Sequence, residues 1–237
     1  MTTLPVAVLA GGLASRLRPL TDRAPKALIH LAGRPFIFHQ LDLLKRAGIR
    51  RVVLCVGHLS DQIEAAVGDG RAWGLEIQYS FDGPDLLGTG GCIRQALPLL
   101  GDDFFVVHGD SYGVCSFRGI ESAYRASGRP ALMTVLRNDN RWDKSNVLFR
   151  HDQLIEYDKR SPRADMTHID FGVSVLSRDV FKPYLESKIF DLAEVYRALS
   201  LSGRLAAFEV STRFYEIGSF SGIEDTEEFL TRRSGMA

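Results

Sequence analysis

Short apolar runs alternate with stretches of helical periodicity along the first half of the chain. The apolar runs have the length of strands, and the stretches between them repeat apolar residues every three or four positions. We predict strands over Pro5–Ala10, Arg51–Val56, Leu75–Ser80 and Phe104–His108, and helices that begin at Pro35, at a Ser60 cap and at Gly91. Strands that alternate with helices in this way form right-handed βαβ units. The sequence therefore predicts an α/β fold, Rossmann-like, with three α/β/α layers.

The second half of the chain is less regular and predicts strands that do not all run parallel. A hairpin is expected where two apolar runs flank the polar pair His151-Asp152. We predict helices over Phe117–Ala126, Asp191–Leu201 and Gly222–Arg232, and strands over Ala131–Arg137, Val147–Phe149, Leu154–Asp158, Ile169–Leu176, Leu205–Val210 and Phe214–Ile217. The sheet should thus be mixed and mostly parallel, within one domain that covers residues 1–237.

Charge and cysteine content narrow the class of function. The 237 residues carry 29 Lys plus Arg and 29 Asp plus Glu, so the net charge is zero, which argues against a nucleic-acid partner. Residues 1–51 nevertheless hold nine cations and two anions, which indicates a local anion site. The cysteines Cys55, Cys92 and Cys115 form no CxxC pair. With no run of about 18 apolar residues and no signal sequence, we expect a cytoplasmic protein without a membrane partner.

The first predicted strand leads into a loop suited to phosphate. Leu9 and Ala10 end the strand, and the paired glycines Gly11 and Gly12 let backbone N–H groups approach a ligand. Arg16 and Lys26 follow with a planar fork and a point charge, which suit a polyphosphate. The loop matches neither GxGxxG nor GxxxxGK[ST], and a glycine pair after a strand is also common in ordinary turns. The spacing alone therefore indicates an anion-binding loop.

Residues 9–26 resemble the signature LAGGxGTRLxPLTxxxPKxL of the sugar-1-phosphate nucleotidylyltransferases. Three more segments match the same family in order: Leu87–Gly91 resembles its LGTxGA loop, His108–Asp110 its strand-end Gly-Asp, and Tyr215–Gly218 its DIGT-type segment. The resemblance implies transfer of a nucleoside monophosphate from an NTP to a sugar 1-phosphate, with release of pyrophosphate and use of Mg²⁺. The chain looks like the short type without a C-terminal β-helix, which includes heptose 1-phosphate guanylyltransferases and N-acetylmuramate 1-phosphate uridylyltransferases. A homodimer is a candidate assembly.

The resemblance and the residue types together indicate which residues carry the reaction. The expected catalytic residues are Arg16, Lys26 and Asp110. The expected nucleotide-binding residues are Leu9, Ala10, Gly11, Gly12, Arg16, Asp82, Gly88 and Thr89, and the expected sugar-phosphate-binding residues are Asn146, Asp158, Lys159, Asp170 and Gly172. Asp110 ends a buried strand, where parallel sheets bind ligands, and its hard oxygens suit Mg²⁺. Glu216 is the expected second metal ligand.

Several positions depart from the family pattern. Ala14 and Ser15 stand where the family usually has Gly and Thr, and Asp158, Asp170 and Glu216 replace Glu, an amide and Asp. If the backbone at position 14 needs a positive φ, alanine costs about 1 kcal/mol or more there. These changes bear on the substrate more than on the reaction class.

The substrates are less sharply indicated than the reaction. Asp82, six positions before Gly88, could accept hydrogen bonds from the N1–H and amino groups of guanine. This favours GTP, with a manno-configured heptose 1-phosphate as acceptor for cell-surface polysaccharide synthesis. Trp142 and Asp143 are further candidates to contact sugar hydroxyls, while His108 is expected to pack in its strand. The alternatives are a UTP-dependent uridylyltransferase and a non-catalytic subunit that senses nucleotide sugars. The missing GxGxxG argues against a dinucleotide-dependent oxidoreductase.

Overall fold

Within residues 4–234, which the computed structural model describes, nine strands form one mixed sheet and two short strand pairs lie outside it. The strands are β1 (Val6–Leu9), β2 (His30–Leu31), β3 (Arg34–Pro35), β4 (Arg51–Val56), β5 (Glu76–Phe81), β6 (Asp103–His108), β7 (Ser111–Gly113), β8 (Ala131–Arg137), β9 (Val147–Arg150), β10 (Gln153–Tyr157), β11 (His168–Ser177), β12 (Leu205–Val210) and β13 (Phe214–Glu216). The helices are α1 (Phe36–Arg46), α2 (Ser60–Val67), α3 (Gly88–Leu100), α4 (Phe117–Ser127), α5 (Leu192–Leu201) and α6 (Phe220–Ser234). Short 3-10 helices cover Ser15–Leu17, Lys26–Leu28, Arg71–Trp73 and Arg178–Tyr184.

The main sheet has the strand order β10-β9-β11-β6-β1-β4-β5, with β8 beside β11 and β12 beside β8. Strands β6, β1, β4 and β5 pair in parallel, and β12 is parallel to β8. Strand β11 runs antiparallel to β6 and β8 and so joins the two parallel portions. This arrangement confirms the expected α/β fold with a mixed, mostly parallel central sheet.

The helices cover both faces of the sheet because successive strand residues point to opposite sides. On β1, Val6 and Val8 belong to one buried cluster with apolar residues of α1, α2 and α4. Ala7, between them, belongs to a second cluster with residues of α3 and α5. The core therefore consists of two apolar layers, one on each face of the sheet. The loops at the strand ends lie outside these layers, where they can contact ligands.

Sequence patterning was wrong at several element boundaries. Helix α3 begins at Gly88, directly after Leu87, rather than at Gly91, and Gly88 itself has a positive φ of 72°. Ser60 is the first residue of α2 rather than its cap, and Leu59 precedes it in a left-handed conformation without a side-chain cap. The β2–β3 hairpin and the 3-10 helices were not predicted. The turn at His151 and Asp152 is confirmed, with both residues at positive φ.

A short ribbon outside the main sheet brings two distant segments together. Strand β7 follows β6 and pairs antiparallel with β13, so that Glu216 lies opposite Ser111. The N–H of Ile217 donates to the carbonyl of Asp110 at 2.9 Å. The two predicted metal ligands are thus carried to one end of the sheet. Among residues 4–234, every helix is too short or too polar to cross a membrane.

Candidate active site

Two cavities lie where β1 and β6 end, and they share a wall. The smaller cavity has a volume of about 250 Å³ and the larger about 590 Å³. His108, Asp110 and Lys159 line both. The smaller cavity is also lined by Lys26 and by the predicted nucleotide-binding residues Leu9, Ala10, Gly11, Gly12, Asp82, Gly88 and Thr89. The larger cavity is also lined by Arg16, Asn146, Asp170, Gly172 and Glu216. The residues expected to hold two different substrates therefore fall into two adjoining spaces.

The loop after β1 turns sharply at Ala14. Its φ of 48° and ψ of 42° are left-handed, so the condition under which an alanine at this position is strained is met. The carbonyl of Ala14 accepts hydrogen bonds from Leu17 N at 2.9 Å and from Thr21 Oγ1 at 3.0 Å. Earlier in the loop, Ala10 N donates to the carbonyl of Cys55 at 2.8 Å and ties the loop to β4. The turn directs the exposed Arg16 towards the larger cavity, whereas the sequence predicted it beside the nucleotide loop.

Lys26 and Asp110 form an ion pair at the shared wall. Lys26 Nζ lies 2.6 Å from Asp110 Oδ2, and Ser111 Oγ donates to Oδ1 at 3.2 Å. Burial would raise the pKa of Asp110. The charge of Lys26, the neighbouring His108 ring, and the hydrogen bonds from Lys26 and Ser111 outweigh it and lower the pKa to about 2. Asp110 is therefore a carboxylate at any physiological pH.

Asp82 lies at the far side of the smaller cavity with Leu86 and Cys92. Its Oδ2 accepts a hydrogen bond from Leu87 N at 3.2 Å. Desolvation raises the pKa of Asp82, and the bond from Leu87 N partly offsets this. The second carboxylate oxygen is left to accept from a ligand.

The glycines after Leu87 divide between two roles. Gly88 and Thr89 line the smaller cavity, and Thr89 Oγ1 donates to Asp191 Oδ1 at 2.8 Å. Gly90, in contrast, donates its N–H to the carbonyl of Phe190 at 3.0 Å. A Cβ at Gly90 would lie 2.3 Å from Cε2 of Phe190. Gly90 must therefore be small, because Phe190 packs directly against it at the start of α3.

Asn146, Asp170 and Gly172 are bonded to one another in the larger cavity. Asn146 Oδ1 accepts from Asp170 N at 3.0 Å, and Asp170 Oδ1 accepts from Gly172 N at 2.9 Å. The pairing of β11 with β8 shifts register between Asp170 and Ser174, and Gly172 lies in that bulge with a φ of 88°. A bulge re-aims side chains. Asn146 and Asp170 both line this cavity.

Asp158 is the predicted sugar-phosphate residue that the structure places elsewhere. Its buried carboxylate lines neither cavity. Oδ1 accepts from Arg160 N at 2.9 Å and Ser161 N at 2.8 Å, and Oδ2 accepts from Arg197 Nε at 2.9 Å. The bond from Ser161 N, then the bond from Arg197, lower its pKa. Asp158 therefore holds the turn that exposes Lys159 to both cavities, because a buried carboxylate in this bonding pattern orders the backbone around it.

The Glu216 carboxylate turns towards the start of α6. Oε2 accepts from Gly218 N at 2.5 Å and Oε1 accepts from Ser219 Oγ at 2.8 Å. A Cβ at Gly222 would lie 2.2 Å from Oε1, so the longer acidic side chain fits only beside glycine. Among residues 4–234 no group of three or more His, Cys, Asp or Glu side chains could hold a metal ion. Two carboxylates on one cavity wall still fit the way Mg²⁺ is held by one or two carboxylates together with phosphates.

Sequence reasoning missed three residues of these walls. His108 was expected to pack in its strand, yet its ring lines both cavities. Arg213 and Asp225 line the larger cavity. Arg213 lies in a polar segment, and Asp225 lies on a helix whose polar residues are typical of a solvent-exposed face. The sequence around each residue therefore does not indicate a binding site. The fold brings Arg213 over the ring of Trp142 and brings Asp225 next to Arg213.

Comparison with known proteins identifies the family. The model of the family described as nucleotidyl transferase matches residues 6–144, more than half of the chain. The chain belongs to this family, which confirms the resemblance found in the sequence.

The particular relatives differ in their substrates. N-acetylmuramate alpha-1-phosphate uridylyltransferase of Neisseria meningitidis serogroup B is 49% identical over 104 residues, which cover 44% of this chain and 45% of that protein. Mannose-1-phosphate guanylyltransferase of Mycobacterium tuberculosis is 31% identical over 199 residues, covering 83% of this chain and 55% of the relative. The matches thus span about half the length of these curated relatives.

Solved structures share the fold at low sequence identity. HddC from Yersinia pseudotuberculosis complexed with GMP-PN has a TM-score of 0.78 at 20% identity, over 96% of this chain and 100% of that chain. The inositol-1-phosphate CTP transferase from T. maritima has a TM-score of 0.77 at 21% identity, over 96% and 94%. At these identities the likeness supports the fold and leaves the substrates to be argued from the site.

Proposed function

We propose that the protein transfers a nucleoside monophosphate from an NTP to a sugar 1-phosphate and releases pyrophosphate. The observation that carries this proposal is the pair of adjoining cavities with Asp110, Lys159 and His108 in the common wall. One cavity has the glycine loop and Lys26 for a triphosphate, and the other has polar side chains for a sugar. A transfer reaction needs its two substrates side by side with the reacting atoms at the boundary.

The reaction needs positioning and charge neutralisation more than covalent help. A phosphate monoester has a second pKa of about 6, so the sugar phosphate is largely dianionic at neutral pH and can attack without a protein base. Its oxygen forms a bond to the α-phosphorus, and the bond from that phosphorus to the pyrophosphate oxygen breaks. We assign Lys26, which lines the smaller cavity, to the anionic groups of the NTP. Lys159 and Arg16, which both line the larger cavity, are assigned to the attacking phosphate, and these fixed cations offset the repulsion between two anions.

Asp110 and Glu216 are the residues that would hold Mg²⁺. Bound there, the ion would neutralise phosphate charge and help the pyrophosphate leave. Lys26, paired with Asp110 in the structure, would then be free to turn towards the phosphates of the NTP. Ser219 and Gly218 keep the Glu216 carboxylate in place through the two hydrogen bonds that it accepts.

The proposed nucleotide is GTP, with a manno-configured heptose 1-phosphate as the acceptor. The Asp82 carboxylate supports guanine because a carboxylate accepts hydrogen bonds and guanine offers two adjacent donors, whereas the uracil edge offers one donor between two acceptors. The mannose-1-phosphate guanylyltransferase of Mycobacterium tuberculosis, which matches 83% of this chain, supports this choice. The uridylyltransferase relative favours UTP as the second candidate.

A matrix of NTPs against sugar 1-phosphates, with pyrophosphate release as readout, tests the proposal. We expect turnover with GTP and a manno-configured acceptor, and we expect Asp82→Asn to lower kcat/KM for GTP relative to UTP, since the amide presents a donor to the guanine N–H groups. Asp85→Asn is the control and should leave this ratio unchanged, because the Asp85 carboxylate is exposed and pairs with Lys188. Pyrophosphate release from UTP but not from GTP would show that the nucleotide is UTP instead of GTP. No release from any pair, with nucleotide sugars still binding, would make the protein a sensor.

A further inference from the structure

Arg213 is held between two aromatic rings in the larger cavity. Its Cζ lies 5.3 Å from the centroid of the Trp142 ring and 4.7 Å from that of Tyr215. Tyr215 stacks in turn on Phe229 of α6, with centroids 4.0 Å apart and planes inclined by 17°. A guanidinium on aromatic faces is attracted to both rings. The side chain is therefore fixed in orientation before any ligand binds.

The hydrogen bonding of Arg213 is incomplete. Its Nη2 lies 2.5 Å from Oδ2 of Asp225, which balances its charge. Its Nε is buried and has no hydrogen-bond partner among the residues that the structure describes. Both side chains line the larger cavity and not the smaller one. A buried donor without an acceptor is costly, and a ligand oxygen in this cavity would remove that cost.

The charge of the cavity wall indicates whether the ligand oxygen belongs to a neutral hydroxyl or to a carboxylate. Three cationic residues, Arg16, Lys159 and Arg213, line the larger cavity. Five carboxylates line it as well: Asp110, Asp143, Asp170, Glu216 and Asp225. The acceptor already brings the negative charge of its phosphate, for which Lys159 is assigned. Lys26, paired with Asp110, and an ion on Asp110 and Glu216 would offset the charge of the wall, but the dianionic phosphate of the acceptor restores a negative excess. A further carboxylate on the sugar would meet this like charge.

A neutral hydroxyl satisfies the pair without adding charge. It accepts one hydrogen bond through its oxygen and donates one through its hydrogen. Arg213 Nε can donate to such an oxygen, and the Asp225 carboxylate can accept from it or from an adjacent hydroxyl. A deoxygenated sugar would leave the buried N–H unpaired, and a site built to bond a substrate hydroxyl rejects such analogues strongly.

We propose that Arg213 and Asp225 are a specificity-determining pair that binds hydroxyl groups of a neutral, polyhydroxylated sugar 1-phosphate and disfavours acceptors that carry a carboxylate. This inference rests on the proposed function, because it takes the larger cavity as the acceptor site. It separates this chain from an enzyme for an acidic sugar, whichever nucleotide is used.

Tryptophan fluorescence gives a test that does not depend on turnover. The chain has two tryptophans, and Trp142 lines the larger cavity while Trp73 packs on Phe38 with ring centroids 4.9 Å apart. Titration with a hexose 1-phosphate and with the matching hexuronic acid 1-phosphate then gives both Kd values. Trp142→Phe assigns the signal, and pyrophosphate release is measured in parallel with the same sugars.

We expect the wild type to bind the neutral sugar at least tenfold more tightly than the acidic one. Asp225→Asn keeps the shape and removes the charge that balances Arg213, so the ratio of the two Kd values should move at least tenfold towards the acidic sugar. Glu224→Gln makes the same charge change on the residue before Asp225 in α6, which lines neither cavity. This variant should have the same ratio of Kd values as the wild type. Arg213→Lys should weaken binding of the neutral sugar about tenfold while thermal melts report an intact fold.

Equal wild-type affinity for both sugars, or equal shifts in Asp225→Asn and Glu224→Gln, would overturn the pair assignment. If pyrophosphate is released but the ratio does not move in Asp225→Asn, this inference fails and the proposed function stands. If no NTP is turned over but the ratio moves as expected, the proposed reaction fails and the sugar-binding pair stands.

Discussion

The ammonium nitrogen of Lys26 lies 2.6 Å from Oδ2 of Asp110, two residues that are 84 positions apart in the chain. The side chains are only 17% and 33% exposed, so the pair is shielded from bulk water compared with ion pairs on the surface. It joins the segment after the glycine loop to the end of β6. A cation and an anion thereby lie next to each other at the boundary of the two cavities, where the proposed phosphoryl transfer would redistribute charge.

Removal of either cation near the glycine loop should reduce turnover. We expect Lys26→Ala and Arg16→Ala each to lower kcat/KM by about 10²–10³-fold, the usual loss for one transition-state donor. Steady-state kinetics with both substrates measures this, and circular dichroism checks the fold. Arg18→Ala is the control, since Arg18 is exposed and pairs with Asp22. Near wild-type turnover in both variants would disprove the phosphate-site assignment.

Lys159 should act on the acceptor more than on the nucleotide. We expect Lys159→Ala to raise KM for the sugar 1-phosphate more than KM for the NTP, because its ammonium is assigned to the attacking phosphate. Kinetics with one substrate varied at a time separates the two constants. Arg160→Ala is a matched neighbour, since Arg160 pairs with Glu194 away from both cavities. An effect confined to the NTP would reassign Lys159 to the other substrate.

Magnesium dependence should report on Asp110 and Glu216. Asp110→Asn should lose nearly all activity, because a neutral amide cannot balance the charge of a metal ion. Glu216→Gln should raise the Mg²⁺ concentration needed for half-maximal rate. Glu216→Asp should also be impaired, because the shorter carboxylate loses its reach to Gly218 N and Ser219 Oγ. If Glu216→Gln has an unchanged rate and an unchanged Mg²⁺ dependence, Glu216 is not a metal ligand. The ion would then be bound by Asp110 and the phosphates alone.

Acid should destabilise the protein partly through Asp110. Its pKa is about 2 in the folded protein and lies below the ordinary value of 3.8. A depressed folded-state pKa contributes stability that is complete above the unfolded pKa and lost as pH falls through the folded pKa. The difference in free energy of unfolding between wild type and Asp110→Asn should therefore be constant above about pH 5 and shrink towards pH 2. Urea melts across this range measure it, and a difference that grows on acidification would contradict it.

The left-handed residue Ala14 offers a stability test. An L-residue in this conformation is strained by about 1–2 kcal/mol, and glycine relieves the strain while it adds entropy to the unfolded chain. We expect Ala14→Gly to raise the free energy of unfolding by up to about 1 kcal/mol. Ala198→Gly, in the exposed face of α5, should lower it by about 1 kcal/mol. Urea denaturation of both variants decides, and a destabilised Ala14→Gly would mean that Ala14 is not strained.

The regular part of the fold could be predicted because its signal is local. Strands Arg51–Val56, Ala131–Arg137 and Leu205–Val210 have the predicted bounds, since each is an apolar run long enough for a buried strand. The short strand β7 was missed because three residues carry no periodicity. Family-matched residues fell into the two cavities, with Asp158 as the exception.

The residues that were missed depend on long-range contacts. Asp158 and Lys159 are neighbours in the chain, yet the carboxylate of Asp158 bonds Arg197 on α5 while Lys159 faces the cavities. Which of two adjacent polar residues points inward is set by a helix that lies later in the sequence. Arg213 likewise gains its place only when Trp142 and Asp225 have reached it through the fold.

Under the proposed function, the common wall of the two cavities would also determine how the protein responds to its own product. A nucleotide sugar would lie across Asp110 and Lys159, the residues common to both walls, with its base in one cavity and its sugar in the other. While it stays there, neither starting compound can enter. Accumulated product should then compete with both, so that the rate of synthesis falls when consumption downstream slows, without a separate regulatory site.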